Sequence, residues 1–355
     1  MKRRNSTVKR KVKRKLPKQD LKIKRFYTNF KKIIFKNLKK KRFAIAVSGG
    51  SDSLCLAYLS KMYSSEYRSK MDVLIIDHKL RSESSKEAVK VKNILKTKKI
   101  QAKILSWTGV VPTKNIQNSA RNIRYSLISN YCLKKNIKFL ITGHHMDDQI
   151  ENFFIRLFRG SGLTGLSSMQ ASSEYSEKLK IIRPFLTFKK SELKYVTLKF
   201  FKTYIQDPSN ENEKYLRIRI RKNRKKLEDE GLNTNKVIKT VANLVSANEA
   251  LIYYKKKSLQ KHVSFLSKDK CAISEKIFAE EANEIIFKSF SDILSLVSGT
   301  YYPPRSKKII SLINRLKKSN YSKSTLGGCV IEKNNNYILI SKEPKTRKIA
   351  YQVKK

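Results

Sequence analysis

Ala44-Ile45-Ala46-Val47-Ser48-Gly49-Gly50-Ser51-Asp52-Ser53 carries an apolar run into two glycines and three hydroxyls, and then directly into a helical pattern. Paired glycines admit positive φ and let the backbone approach an anion with no Cβ in the way. Successive N–H groups and a helix start then converge on the same oxygen atoms. Ser48, Gly49, Gly50, Ser51, Asp52 and Ser53, with Ala46 at the strand end, are therefore the expected phosphate-binding residues. Asp52 would repel a bare phosphate, so its position implies either a divalent cation between the two or a positioning role at the helix start. The spacing is neither that of a Walker loop nor that of a Rossmann fingerprint. A glycine turn followed by an ordinary Ser or Asp cap is the plain alternative.

Outward from this stretch, short apolar runs alternate with longer helical patterns. Strands are predicted at Phe43–Val47, Asp72–Ile76, Ala102–Trp107 and Phe139–Thr142. Helices are predicted at Ser53–Tyr63, Glu83–Lys98, Ile116–Lys135 and Asp147–Arg159. This rhythm argues for an α/β fold with a parallel sheet and helices on both faces. Ligands in such sheets bind at the carboxyl ends of the strands, near a switch point.

At the fourth strand end stands Gly143-His144-His145-Met146-Asp147-Asp148-Gln149-Ile150-Glu151-Asn152. On a helix, Asp147, Asp148 and Glu151 fall within one turn. Like charges so close need a cation, and Mg2+ carrying diphosphate or a substrate ammonium would each serve. The bland reading, in which acids complement the helix dipole and the histidines lie on the surface, accounts for one or two acids but poorly for three. Arg156-Leu157-Phe158-Arg159 then leads into the glycine-rich Gly160-Ser161-Gly162-Leu163-Thr164-Gly165. Other segments sit at the remaining strand ends: Asp77-His78-Lys79-Leu80-Arg81, Asn115-Ile116-Gln117 with Arg121 and Arg124, Ile182-Arg183-Pro184-Phe185-Leu186, and Asp207-Pro208-Ser209-Asn210 followed by Arg217, Arg219 and Arg221. Arg121 and Arg124, three residues apart, are placed to clamp a phosphate or carboxylate.

SGGSDS resembles the loop of PP-loop ATP pyrophosphatases, which split ATP between its α and β phosphates. In their order, the segments over residues 43–221 resemble the tRNA(Ile)-lysidine synthetase family. Tyr302-Pro303-Pro304-Arg305 and Thr325-Leu326-Gly327-Gly328-Cys329 give a shorter match in the tail. Lys79 stands where that family usually has Gly, Met146 where it has Ala, and Asn152 where it has Thr; Ile218 interrupts its Arg-Asn pattern.

The resemblance implies a parallel-sheet PP-loop ATP pyrophosphatase domain, a helical substrate-binding region and a small α+β C-terminal module. The expected divisions are 1–42 (basic N-terminal arm and helix), 43–221 (catalytic domain), 222–297 (helical linker and tRNA-binding region) and 298–355. The implied reaction joins L-lysine to the wobble cytidine of an isoleucine tRNA with a CAU anticodon, consuming ATP with Mg2+. Asp52, Asp147, Asp148, His144 and Arg121 are the implied catalytic residues, with Asp52 on metal and phosphate, Asp147 or Asp148 on the lysine amine, and Arg121 on an anionic group. Asp52, Asp148 and Glu151 are the implied metal ligands. A homodimer is compatible with this reading.

The formal charge of +52, from 80 Lys plus Arg against 28 Asp plus Glu, makes a polyanionic partner plausible, although mutational bias toward Lys explains part of it. Residues 1–42 hold 20 Lys or Arg and one acid, Asp20. The stretch through Lys18 reads as a basic arm, for tRNA or for targeting, and Leu21–Leu38 as a basic amphipathic helix. Residues 215–260 and 272–297 read as helical, Lys307–Lys318 as a helix, and Gly328–Glu332 and Tyr337–Ser341 as strands joined at Asn334-Asn335-Asn336. Cys55, Cys132, Cys271 and Cys329 form no CxxC pair, which suits a reducing cytoplasm and signals no zinc or iron–sulfur site. No apolar run is long enough to span a membrane, so no membrane partner is expected. Three rivals remain: a PP-loop tRNA thiolase, which normally shows cysteine pairs; a PP-loop amidase, which needs an ammonia source; and a non-catalytic RNA-binding protein on the same fold.

Overall fold

Phe43–Ala46 (β1) is four apolar residues, three of them fully buried, and this makes it the centre of the sheet. The computed structural model describes residues 20–80, 82–110, 116–167, 169–176, 178–206, 213–214, 216–300, 302–318 and 321–344. Within them β1 pairs in parallel with Met71–Asp77 (β2) on one side and with Phe139–Ile141 (β4) on the other. Ala102–Ser106 (β3) extends the β2 side, and Leu179–Ile182 (β6) continues beyond β4. Ser172–Ser176 (β5) closes that edge antiparallel to β6, giving the order β3-β2-β1-β4-β6-β5. The chain winds outward from β1 in one direction and returns to place β4 on the other side. The carboxyl ends of β1 and β4 thus flank the switch point where such sheets bind ligands.

Helices cover the sheet: Leu21–Leu38 (α1), Ser51–Tyr67 (α2), Ser84–Thr97 (α3), Ile116–Lys134 (α4), Met146–Phe158 (α5), the short Leu163–Leu166 (α6), Lys190–Phe201 (α7), Leu216–Asp229 (α8) and the first part of Thr234–His262 (α9). The helix expected at the N-terminus is α1, started by Asp20, whose carboxylate accepts from the Ile23 N–H at 3.1 Å. Its apolar face (Ile23, Phe26, Tyr27, Phe30, Ile34, Leu38) lies in the same core as β1, with Phe26 and Phe30 against Phe185 at 5.8 and 5.6 Å. At roughly 1.5–3 kcal/mol per buried large side chain, this face and not the lysines holds the helix. The basic arm, Arg81, Asn115, Asp207–Asn210 and the last residues of the tail lie outside the described residues.

The chain divides into two compact units, 1–242 and 243–355, so the division falls within α9. In the second unit Val263–Ser267 (β7), Lys270–Ser274 (β8), Lys323–Leu326 (β9), Cys329–Asn334 (β10) and Tyr337–Lys342 (β11) form an antiparallel sheet ordered β7-β8-β11-β10-β9. Ile277–Glu280 (α10), Asn283–Ser298 (α11) and Ser306–Leu316 (α12) complete it, with Phe290, Ile293 and Leu312 in its core. The hairpin expected at Asn334–Asn336 joins β10 to β11, where Asn334 pairs Tyr337 and Asn335 takes φ +42°. The sheet nevertheless begins well before residue 298. The segment starting at 272 read as helical, but Cys271 and Ile273 alternate inward because β11, far along the chain, pairs with β8.

Candidate active site

The glycine turn follows β1. Gly49 holds φ +88°, and a Cβ there would lie 2.5 Å from Val91 Cγ2, so both conformation and space call for glycine. The N–H groups of Ser48 and Gly49 both donate to Ser53 Oγ, at 3.2 and 3.1 Å, and that hydroxyl donates to the Gly50 carbonyl at 3.0 Å. The turn is therefore a nest already converging on an oxygen atom. Gly50 starts α2 without any side-chain cap, which leaves the first N–H groups of the helix for an external acceptor. Asp52, in the first turn of α2, accepts from Ser51 Oγ at 3.1 Å.

Across the switch point, His145 precedes α5 and is 2 % exposed. Its Nδ1 accepts from the Asp148 N–H at 3.4 Å, while the Asp148 carboxylate accepts from the His145 N–H at 3.1 Å. Its Nε2 lies 3.5 Å from both Asp52 and Asp148. One imidazole thus joins the phosphate turn to the acidic helix. Burial pulls its pKa down, but the hydrogen bond to Asp52 and the charges of Asp148, Asp52 and Asp147 outweigh burial and raise it. In the cap bond Nδ1 is the acceptor, which leaves the Nε2 proton to face Asp52 and Asp148. His144 is different: burial holds it well below the ordinary imidazole range, helped by Arg183, Arg121 and Arg217 and opposed by Asp148. It stays neutral at physiological pH, with Nδ1 2.9 Å from Thr142 Oγ1.

The acids of α5 meet guanidinium groups. Glu151, 2 % exposed, receives Arg217 Nε at 2.7 Å and Arg221 Nε and Nη2 at 2.7 and 3.1 Å. Arg217 also reaches Asp148 at 3.0 Å, and Arg224 pairs with Asp147. Arg217, Arg221 and Arg224 share one face of α8 by helical spacing. Burial alone would raise the Asp147 carboxyl, yet the Lys190 N–H and Arg224 bring it below the usual range; His145 and Arg217 do the same for Asp148.

Between the two helix starts lies a cavity of about 290 Å³. Ala46, Ser48, Gly50, Asp52, Ser53, His144 and Asp148 line it, as expected from the sequence, together with His78 and Arg124. Gly49, Ser51, Asp147, Glu151 and Arg121 are not in its wall. Arg121 is exposed on α4, its guanidinium 5.1 Å above the Tyr125 ring. His78, pushed to about 4 by burial and by Arg124, has a buried Nδ1 with no partner among the described residues. Beside it Lys79 takes φ +52°, the backbone state that explains a glycine at this place in the family it resembles. Sequence reasoning passed over His145 and the part played by α8; the doubled histidine and the arginines at helical spacing were the available signals.

Among the described residues no three His, Cys, Asp or Glu side chains converge to hold a metal by themselves. Asp52 and Asp148, converging on one nitrogen at the cavity wall, still fit a Mg2+ that takes its other ligands from phosphates and water. Glu151 has both oxygens on arginines. All four cysteines are buried, and burial raises the Cys55 thiol well above its ordinary range.

The family model for a PP-loop domain matches residues 20–227. A tRNA(Ile)-lysidine synthase of Orientia tsutsugamushi (strain Boryong) is 37% identical over 314 residues, covering 85% of this chain and 70% of that one. Proteins of the same name from Wolbachia pipientis wMel and Rickettsia felis are 35% and 32% identical, over 84% and 86% of this chain and 70% and 71% of theirs. Among solved structures, a U34-tRNA thiolase from Methanococcus maripaludis superposes with TM-score 0.52 at 19% identity, over 63% of this chain and 79% of that one, a likeness of fold. No helix among the described residues is long and apolar enough to cross a membrane. With a cavity joining a phosphate turn to an acidic helix, a PP-loop model over more than half its length, and relatives of one name across most of both chains, the protein belongs to the tRNA(Ile)-lysidine synthase family of ATP-using, tRNA-modifying PP-loop enzymes.

Proposed function

We propose that this enzyme joins L-lysine to C2 of the wobble cytidine of an isoleucine tRNA with a CAU anticodon, releasing AMP and diphosphate. The observation that carries the reading is the shared contact of Asp52 and Asp148 with His145 Nε2, which sets the phosphate turn and the acidic helix on one cavity.

The cytosine O2 is a poor leaving group. It attacks the α-phosphate of ATP in line, forming an O–P bond as the bond to the β-phosphate oxygen breaks. The leaving diphosphate is received by the N–H groups and hydroxyls of Ser48–Ser53. Asp52 and Asp148 would hold a Mg2+, which would supply charge neutralisation for the leaving diphosphate. The lysine ε-ammonium is held by Asp147 or Asp148 and gives up a proton; its amine attacks C2, and AMP leaves with the former O2. The proton acceptor is a carboxylate of α5 or His144, which is neutral and so able to accept. Thiolation is disfavoured because Cys55 and Cys132, the thiols of this unit, are buried and protonated.

The test is incubation of the protein with ATP, Mg2+, labelled lysine and total tRNA. Label is expected in an isoleucine tRNA, with at least a hundredfold loss in Asp52→Ala, on the order of one lost transition-state charge contact. Label absent from all RNA sinks the proposal; label from a sulfur donor instead supports a thiolase.

A further inference from the structure

Arg183 follows β6 and is 8 % exposed. Its Nη1 donates to the Gln170 carbonyl and to Ser173 Oγ, both at 2.9 Å, but its buried Nε has no partner among the described residues. An unsatisfied N–H on a buried cation is costly, so an external oxygen is its natural complement. The Tyr125 phenol and the Arg121 guanidinium act on Arg183. Arg156, on α5, donates to the Gly165 carbonyl at 2.9 Å and to Asn152 at 3.4 Å, and the charges acting on it are Arg121 and Arg159. Among the described residues no carboxylate pairs with Arg121, Arg156 or Arg183. Arg121 lies over Tyr125, which stacks on Tyr175 at 5.2 Å. Beyond Arg156, Gly160 and Gly162 leave open space.

We infer that Arg121, Arg156 and Arg183 bind backbone phosphates of an RNA substrate beside His144. The inference rests on the tRNA-modifying reading above and locates where the nucleic acid is gripped. Two features favour phosphates over the single carboxylate of an amino acid. With Arg159 there are four guanidinium groups, none paired with an acid among the described residues, more charge than one carboxylate offsets. They also run from buried Arg183 through half-buried Arg156 to exposed Arg121 and Arg159, a gradient suited to a chain entering from solvent. Guanidinium forks match phosphate oxygens two at a time.

The experiment measures binding of a hairpin RNA carrying a CAU loop to the full chain, without ATP or lysine, over a range of salt. Arg121→Gln and Arg156→Gln are each expected to weaken binding about tenfold and to flatten the salt slope by about one unit per lost phosphate contact. Lys92→Gln, exposed on α3, sets the effect of removing a charge alone and is expected to change binding much less. Arg183→Lys probes the buried member, and exposed Arg121 keeps the test valid should that variant not fold. Unchanged affinity and slope in both glutamine variants overturn the pocket, as does a rise in the Michaelis constant for lysine with RNA binding intact, which makes it an amino-acid carboxylate site. Weakened RNA binding in a protein that never transfers lysine leaves the pocket standing and removes the lysidine reading.

Discussion

The turn Ser48–Ser53 and the helix start His145–Glu151 face one another, yet they are built in opposite ways. The turn is closed by its own residues: Ser53 Oγ collects two N–H groups within five residues, and Gly49 supplies the one backbone state the bend needs. The acidic start depends on arginines 66 to 77 residues downstream, and without α8 its three carboxylates would repel one another. A phosphate nest is a property of local backbone; a tolerated acid cluster is a property of what packs against it.

That difference can be broken from either side. The largest effect is expected for the double variant Arg217→Ala with Arg221→Ala, which strands buried Glu151 without a partner. A loss of about 3–5 kcal/mol is expected in urea unfolding, and adding Glu151→Gln should recover part of it. Full stability in the double variant would mean that α8 does not hold the acids. Next, Gly49→Ala combines a strained φ with a clash against Val91 and should cost about 3 kcal/mol. Adding Val91→Ala should relieve the clash but not the backbone strain; complete rescue would show that φ is irrelevant.

The third prediction concerns pH. His78 and His144 are depressed below their ordinary 6.5, His78 to about 4, so below pH 6.5 the unfolded chain takes up protons that the folded one refuses. Stability should therefore fall between about pH 6.5 and 4; raised His145 acts above that window, where its contribution is lost as pH rises above 6.5. His78→Gln should flatten that window by about 1–2 kcal/mol after allowance for its partial exposure. Asp147 and Asp148, lowered, add their loss only below their ordinary 3.8, as pH falls through their folded values. Unfolding curves at several pH values that show no dependence on His78 would remove this account. Smallest is Lys79→Gly, which relieves φ +52° and should stabilise by less than about 1 kcal/mol, because glycine's larger unfolded-state entropy offsets part of the gain; destabilisation would contradict the strain.

The first unit was largely legible. Strand–turn–helix repeats placed β1 to β4 and α2 to α5 within a few residues, and Ser48, Gly50, Asp52 and Ser53 of the expected turn line the cavity. Less legible was the setting of Arg121, expected on an anionic group and found on an exposed helix face outside the cavity wall, because helical spacing fixes a face and not what that face meets. The strands β7 and β8 were hidden for a related reason: five-residue runs with one or two inward apolar residues acquire a strand identity from their ladder partner.

By itself the sequence determined the phosphate turn, the winding of the sheet around it and the family, since these rest on glycine conformation, apolar periodicity and motif order. Only the tertiary structure decided that His145 joins the two halves of the site, that arginines of α8 neutralise the acids of α5, and that Arg183 keeps a buried donor unpaired. Each of those depends on distances between residues remote in the chain, and charge and hydrogen bonding act through space.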